Sequence, residues 1–160
     1  MEIVLRPAVP ADAEAVAEVY LASRRAFVGF APLAHSDAEI RQWIAEQLIP
    51  SGAVTVAAKD AQVVGMLAIS REDGIGWIDQ LYLAPGFAGK GIGSRLLNLA
   101  KMALGSPIRL YTFQADDGAR RFYERREFHA VAFTDGADNE EHCPDILYEW
   151  AGNPEAKQGE

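Results

Sequence analysis

The sequence predicts an α/β fold of the α+β kind, in which a mixed central β-sheet of about seven strands is flanked by four helices. Runs rich in β-branched and aromatic residues alternate with runs of helical apolar spacing, in the order β-α-α-β-β-β-α-β-α-β-β. A glycine-rich turn separates the fourth strand from the third helix. The length of 160 residues fits one domain, expected at 1–151, with a flexible tail at 152–160.

The first half of the chain carries four predicted strands and two predicted helices. Ser36 and Glu39 stand three residues apart as in a capping box, which predicts that the second helix begins there. A Pro-Ser-Gly run at 50–52 ends that helix, and a short polar turn at 59–61 joins two strands into an antiparallel hairpin. The predicted strands are 3–6, 53–58, 62–69 and 76–83, and the predicted helices are 11–27 and 36–47.

The second half alternates strands with helices until the last two strands. Pro85 and Gly86 end the fourth strand, and a Gly-Ser-Pro run at 105–107 ends the third helix. Asp135 begins a polar loop between the last two strands. The predicted helices are 91–104 and 116–126, and the predicted strands are 108–113, 128–134 and 146–150.

Composition and charge argue against several classes of protein. A formal net charge of −8 repels a phosphate backbone, so no nucleic-acid partner is expected. The chain has no apolar run long enough to span a bilayer and no secretory signal pattern, so we expect a cytoplasmic protein without a membrane partner. The lone Cys143 cannot form an internal disulfide or a multi-cysteine metal site, and no metal is expected.

The glycine-rich turn at 87–94 has the properties of an anion site. Backbone N–H groups at the start of a helix lack intrahelical partners, and Gly89, Gly91 and Gly93 allow positive φ and remove Cβ atoms that would hold a pyrophosphate away. Lys90 adds a cation. The turn is not a Walker P-loop, because Gly91 follows Lys90, and no dinucleotide-binding register fits. A plain connecting turn is the alternative.

Two motifs, at 81–93 and 119–128, carry a resemblance to a known family. The first is Leu-Tyr-Leu-Ala-Pro at 81–85 followed by Ala-Gly-Lys-Gly-Ile-Gly at 88–93, which resembles the signature of the GNAT acetyltransferases, a hydrophobic-x-Pro strand end and then Gln or Arg-x-x-Gly-x-Gly or Ala. The second, Ala-Arg-Arg-Phe-Tyr-Glu-Arg-Arg-Glu-Phe at 119–128, is similar to the family's Asn-x-x-Ala-x-x-Phe-Tyr-x-x-x-Gly-Phe. Because the upstream element order also fits, the resemblance covers nearly the whole chain.

Three positions depart from the family pattern. Ala88 replaces Gln or Arg at a position that contributes mainly through its backbone amide, and Asp116 replaces an Asn that contacts the pantetheine arm. Glu127 replaces a Gly that closes the helix. A glutamate is strained in the left-handed conformation, so the last departure predicts a less tightly capped helix end.

The resemblance implies an acyltransferase in which an amine attacks acetyl-CoA directly in a ternary complex. Tyr123 is then expected to protonate the departing thiolate, since a tyrosine has a reference pKa of about 10; a core aromatic is the alternative. Leu81 and Leu83 are expected to line the acyl arm through their main chain. The residues expected to bind acetyl-CoA are Leu81, Tyr82, Leu83, Ala88, Gly89, Lys90, Gly91, Ile92, Gly93, Ser94, Asp116 and Arg120.

The general base is less clearly indicated. An alkyl amine with a pKa of about 10.4 is protonated at neutral pH, so a base or a water relay must take its proton. Side-chain alternation predicts that Asp79 shares a strand face with Leu81 and Leu83, which makes it the candidate base. A carboxylate satisfied by neighbouring groups or by solvent is the alternative. Lesser candidates are Glu72, His35 and Glu140.

The acceptor is expected to be the primary amine of a small molecule. The loop at 135–145 carries five carboxylates, including Asp135 and Glu140, which either attract a cationic amine or form an ordinary solvated hairpin loop. Phe30 faces either the acceptor or the core. Acetylation of a protein lysine or N-terminus and a non-catalytic CoA-binding regulatory module are the alternatives, and the resemblance also allows a homodimer.

Overall fold

The structure, a computed structural model, describes residues 2–25 and 34–152. In this part of the chain every predicted strand and helix is present, and the predicted fold class is confirmed. The predicted tail lies outside the described residues beyond Gly152. The strands and α-helices are β1 Ile3–Pro7, α1 Ala13–Arg25, α2 Asp37–Trp43, β2 Val54–Lys59, β3 Gln62–Glu72, β4 Ile75–Leu83, α3 Ile92–Leu104, β5 Ile108–Phe113, α4 Asp117–Glu124, β6 His129–Phe133 and β7 Asp145–Trp150. A π-helical turn at Ile44–Leu48 continues α2, and short 3₁₀ turns lie at Pro10–Asp12 and Ile49–Ser51.

The seven strands form one sheet in the order β1-β2-β3-β4-β5-β7-β6. Neighbouring strands are antiparallel except β4 and β5, which are parallel because α3 crosses over between them. Their pairing is short: Gly76 pairs with Ile108 and Trp77 with Arg109, and there the ladder stops. The carboxyl-terminal halves of the two strands therefore separate and leave a gap in the middle of the sheet.

A helical layer covers each face of the sheet. On one face α3 and α4 enclose a core that includes Leu96, Leu97 and Phe128. On the other face α1 and α2 enclose a second core, with Val16 and Ile44 fully buried. Full burial of one such aliphatic side chain contributes about 1.5–3 kcal/mol, so these two layers hold the separated strands in place. No helix in the described ranges is long and apolar enough to cross a membrane.

Local signals in the sequence decide where several helices begin and end. The predicted capping box is confirmed, since the Glu39 amide donates to Ser36 Oγ at 3.2 Å and the Ser36 amide donates to Glu39 Oε1 at 2.9 Å. Asp116 caps α4 by accepting from the Ala119 amide at 3.0 Å. Glu127 adopts the left-handed conformation, with φ 69°, and the Phe128 amide donates to the Tyr123 carbonyl at 3.1 Å. The end of α4 therefore has a Schellman-type cap in spite of the glutamate, rather than the looser end that was predicted.

Candidate active site

A cavity of about 600 Å³ occupies the gap between β4 and β5. Its walls come from the second half of β4, from β5, from α4, from the end of α1 and from the loop between β6 and β7. A volume of this size is typical of small-molecule sites. Among the residues predicted from sequence, the structure brings six to this cavity: Asp79, Leu81, Tyr82, Asp116, Tyr123 and Asp135.

Tyr123 lies in the wall that α4 contributes. Its ring packs between Phe122 and Phe128, at centroid distances of 5.1 and 5.5 Å, and the residue is only 8% exposed. No hydrogen bond joins its hydroxyl to another residue of the described ranges. Burial, and then the nearby Asp116 carboxylate, raise the pKa of Tyr123 well above its ordinary value. The hydroxyl is therefore protonated at neutral pH and is a weaker acid than an ordinary tyrosine.

Asp79 occupies a β-bulge, where the pairing of β3 with β4 skips from Ile78 to Gln80. The bulge interrupts the regular side-chain alternation on which the prediction for Asp79 was based. Leu81 packs against the core under α3 and α4, and the Asp79 carboxylate accepts a hydrogen bond from Ser70. Asp79 still lines the cavity, and partial burial raises its pKa against the opposing effect of the Ser70 hydroxyl.

The glycine turn precedes α3, outside the cavity wall. Gly89 and Gly91 have φ values of 75° and 83°, and a Cβ on either would meet nothing within 4 Å. Gly91 is the N-cap of α3 and provides no side-chain cap, and the first bond of the helix runs from the Arg95 amide to the Gly91 carbonyl at 3.1 Å. The amides at 92–94 therefore lack intrahelical acceptors and are available to an anion.

Gly93 differs from the other two glycines of the turn. It lies within α3, and a Cβ there would lie 3.2 Å from the Phe122 ring. Its lack of a side chain lets α4 pack closely on the first turn of α3. In this way Gly93 brings the helix that carries Tyr123 against the helix that begins at the glycine turn.

Other predicted site residues have structural partners. Ser94 Oγ accepts from the Arg126 guanidinium at 2.6 and 3.1 Å, and Arg120 donates to the Gln114 carbonyl at 3.2 Å. The carbonyl of Leu83 accepts from the Ser23 hydroxyl at 2.7 Å. Because the Ser94 side chain is already bonded to Arg126, the backbone amides of the glycine turn are the groups that remain available to a ligand.

The structure does not place the lesser base candidates in the cavity wall. Glu72 is exposed near the end of β3, and His35 Nε2 lies 3.1 Å from Glu140 Oε2 in an exposed pair. Phe30 lies outside the described residues. Within the described ranges, no group of three His, Cys, Asp or Glu side chains could hold a metal ion.

Sequence reasoning missed Arg24, which lines the cavity together with Glu141 of the acidic loop. Arg24 is 4% exposed, its guanidinium lies 5.4 Å from the centroid of the Phe113 ring, and it donates to Glu141 Oε2 at 3.4 Å. One feature of the sequence could have identified Arg24. Arg24 continues the stripe of Val16 and Tyr20 at a spacing of four residues, so a charge lies on the apolar face of α1.

The acidic loop between β6 and β7 has an internal hydrogen-bond network. Asn139 Nδ2 donates to the Cys143 carbonyl at 2.6 Å and to Asp145 Oδ2 at 3.2 Å, and the Cys143 amide donates to Asn139 Oδ1 at 3.1 Å. Thr134 Oγ1 hydrogen bonds the other Asp145 oxygen. Gly136 has φ 84° and packs on the Cys143 backbone. The loop is therefore an ordered, hydrogen-bonded part of the cavity wall.

The sequence model of the acetyltransferase (GNAT) family matches residues 16–128. The chain belongs to this family. The match includes both motifs and the strands that border the cavity, and it makes the protein an acetyltransferase whose acetyl donor is acetyl-CoA. No curated protein sequence matches the chain.

Solved structures show the same fold. PaiA N-acetyltransferase from Thermoplasma acidophilum, solved in complex with coenzyme A, is 22% identical with a TM-score of 0.75, over 94% of this chain and 99% of that chain. Ard1 from Thermoplasma volcanium is 19% identical with a TM-score of 0.73, over 96% and 99%. Apo YjaB from Escherichia coli is 20% identical with a TM-score of 0.75, over 96% and 100%.

Proposed function

We propose that the protein is an N-acetyltransferase that moves an acetyl group from acetyl-CoA to the primary amine of a small molecule, by direct attack in a ternary complex. One observation carries the proposal: the hydroxyl of the buried Tyr123, which is protonated and has no hydrogen-bond partner among the described residues, lies at the wall of the cavity where the sheet opens. The cavity volume favours a small acceptor over a folded protein surface.

The glycine turn fits the diphosphate of the coenzyme. The amides at 92–94 have no intrahelical acceptor, and the space beside Gly89 and Gly91 is open where side chains would otherwise stand. Lys90 is exposed beside them. These groups would hold the diphosphate, while Gly93 keeps α4 and its tyrosine close to the same helix.

The separated strands supply the donor for the acyl oxygen. Beyond Trp77, β4 has no ladder partner in β5, so backbone N–H groups on that edge are free to face the cavity. By likeness to the family motif, the main chain at Leu81 would donate to the acyl oxygen. Acetyl-CoA supplies an acyl group activated as a thioester.

Asp79 would accept the proton of the attacking amine, and Tyr123 would act on the departing sulfur. The raised pKa of Asp79 makes it a stronger base than an ordinary carboxylate, suited to take the amine proton directly or through water. The Tyr123 hydroxyl would donate a hydrogen bond to the sulfur and pass its proton as the thiol leaves. The raised pKa opposes full transfer of this proton, so the hydroxyl acts first as a hydrogen-bond donor that stabilises the negative charge developing on the sulfur.

Thiol release from acetyl-CoA across a panel of amines and peptides, in the wild type and in Tyr123→Phe, tests the proposal. Release with small amines and its loss in Tyr123→Phe are expected. Release with peptides alone would favour a protein acetyltransferase, and coenzyme binding without release would favour a regulatory module. The cytoplasmic location and the homodimer stay predictions, which fractionation of cells and light scattering would check.

A further inference from the structure

Arg24 is a buried cation that the proposed chemistry does not use. It lies in the cavity wall with 5% of its side chain exposed, near the Phe113 ring. Burial of a charge is costly unless hydrogen bonds compensate. A buried guanidinium in the wall of a substrate cavity needs hydrogen-bond acceptors for its N–H donors.

The partner present in the described residues satisfies Arg24 only in part. A guanidinium has five N–H donors, and Arg24 uses one of them, towards Glu141 at 3.4 Å. Other arginines of this protein make tighter ion pairs: Arg25 lies 2.6 Å from Asp37, and Arg109 Nε lies 2.7 Å from the carboxylate of its partner. No side-chain N or O of the described residues is both fully buried and unpartnered, so the Arg24 donors that lack a partner there keep some solvent access, and Arg24 lines the cavity.

The carboxylates of the acidic loop are largely engaged within the protein. Asp145 accepts from Thr134 and Asn139, Asp135 accepts from a backbone amide of the loop, and Glu140 pairs with a histidine outside the cavity. These carboxylates stabilise the loop, and their existing hydrogen bonds and ion pair compete with binding of a polycation. Of the described residues that line the cavity, Arg24 is the one that carries a positive charge, and it has donors that no described residue uses.

We propose that Arg24 binds a carboxylate of the acceptor, so that the enzyme acetylates amino acids or other aminocarboxylates in preference to plain amines. This inference rests on the proposed function. The planar guanidinium presents donors in a fork that matches a carboxylate, and the aromatic ring beneath it restrains its orientation. Glu141 competes with the acceptor for the same donors, since it is the carboxylate that now faces them.

Matched pairs of acceptors test the inference. Leucine and 3-methylbutylamine differ only in the carboxylate, as do phenylalanine and phenethylamine, and kcat/KM is measured for both members of each pair. The wild type is expected to favour the carboxylate member, and Arg24→Met is expected to lower the ratio about 10–150-fold, the range for a lost charge-assisted hydrogen bond. The two amines of a pair differ in basicity, so the readout is the change of the ratio between variants.

Three further variants sharpen the test. Glu141→Gln is expected to raise the ratio, because it removes the competing charge. Arg25→Met alters the neighbouring arginine, whose pair with Asp37 is about half exposed, and is expected to leave the ratio unchanged. Arg24→Lys keeps the positive charge but loses the paired guanidinium donors, and it is expected to lower the ratio. This variant keeps the test decisive if Arg24→Met fails to fold.

The outcomes separate this inference from the proposed function. Thiol release from some acceptors, with a ratio that is the same in wild type, Arg24→Met and Arg24→Lys, overturns the inference alone. A marked preference for diamines over both members of each pair also overturns it and assigns the site to the acidic residues. No release from any acceptor refutes the proposed function and the inference together.

Discussion

The glycine turn allows a matched test, because two glycines with the same backbone strain occupy different places. Gly91 has φ 83° at the start of α3, and Gly74 has φ 79° in the turn between β3 and β4. A Cβ at either position would meet nothing within 4 Å. Alanine at either site imposes a left-handed conformation that costs about 1–2 kcal/mol. We expect both variants to lose stability alike, by about 2–8 °C in Tm.

Coenzyme binding is expected to separate the two variants. The Cβ of Gly91→Ala stands in the open space beside the free amides at 92–94, and it would push a bound diphosphate away from them. One charge-assisted hydrogen bond contributes about 1.5–3 kcal/mol, so losing one raises the Kd for coenzyme A about 10–150-fold. Gly74→Ala should leave the Kd unchanged. Calorimetry measures Kd and Tm on the same samples, and equal Kd values for the two variants would refute the phosphate cradle.

Three other variants test the remaining parts of the site. Tyr123→Phe keeps the buried ring and removes the hydroxyl, so kcat should fall about 10²–10⁴-fold in steady-state assays with Kd for coenzyme A unchanged; an unaltered kcat contradicts the acid role. Asp79→Asn should abolish the acidic limb of the pH–rate profile. Burial raises the pKa of Asp79 above 3.8, so the folded protein binds a proton on this carboxyl more tightly than the unfolded chain does. The contribution of that proton to the free energy of unfolding is complete below pH 3.8 and is lost as the pH rises through the raised pKa. Urea unfolding should therefore show Asp79→Asn more stable than wild type at pH 7 and equal to it below pH 3.8; the reverse order would contradict the burial of this carboxyl. Gly136→Ala places a Cβ 2.3 Å from the Cys143 carbonyl carbon at φ 84°, which should cost about 2–4 kcal/mol and raise KM for the acceptor but not for acetyl-CoA. Unchanged acceptor KM would show that the acidic loop is not part of the acceptor site.

Local features of the molecule could be predicted from the sequence because they depend on residues a few positions apart. The strand runs, the helical spacings and the breakers predicted every strand and every α-helix of the described residues, but not the 3₁₀ turns at Pro10–Asp12 and Ile49–Ser51 or the π-helical turn at Ile44–Leu48. The capping box at Ser36 followed in the same way. The family, and Tyr123 as a site residue, were indicated by two short motifs whose spacing is visible along the chain.

The cavity itself was decided by tertiary structure. It exists because the ladder between β4 and β5 stops after Trp77, and no local pattern states how far two strands pair. The bulge at Asp79 has the same origin, since it depends on the register with β3. The pair of Arg24 and Glu141 joins residues 117 positions apart, so only the folded chain shows that a charge on an apolar helix face meets a cavity. Spacing along the chain carries information about neighbours, whereas a site made from five separate elements depends on how those elements pack.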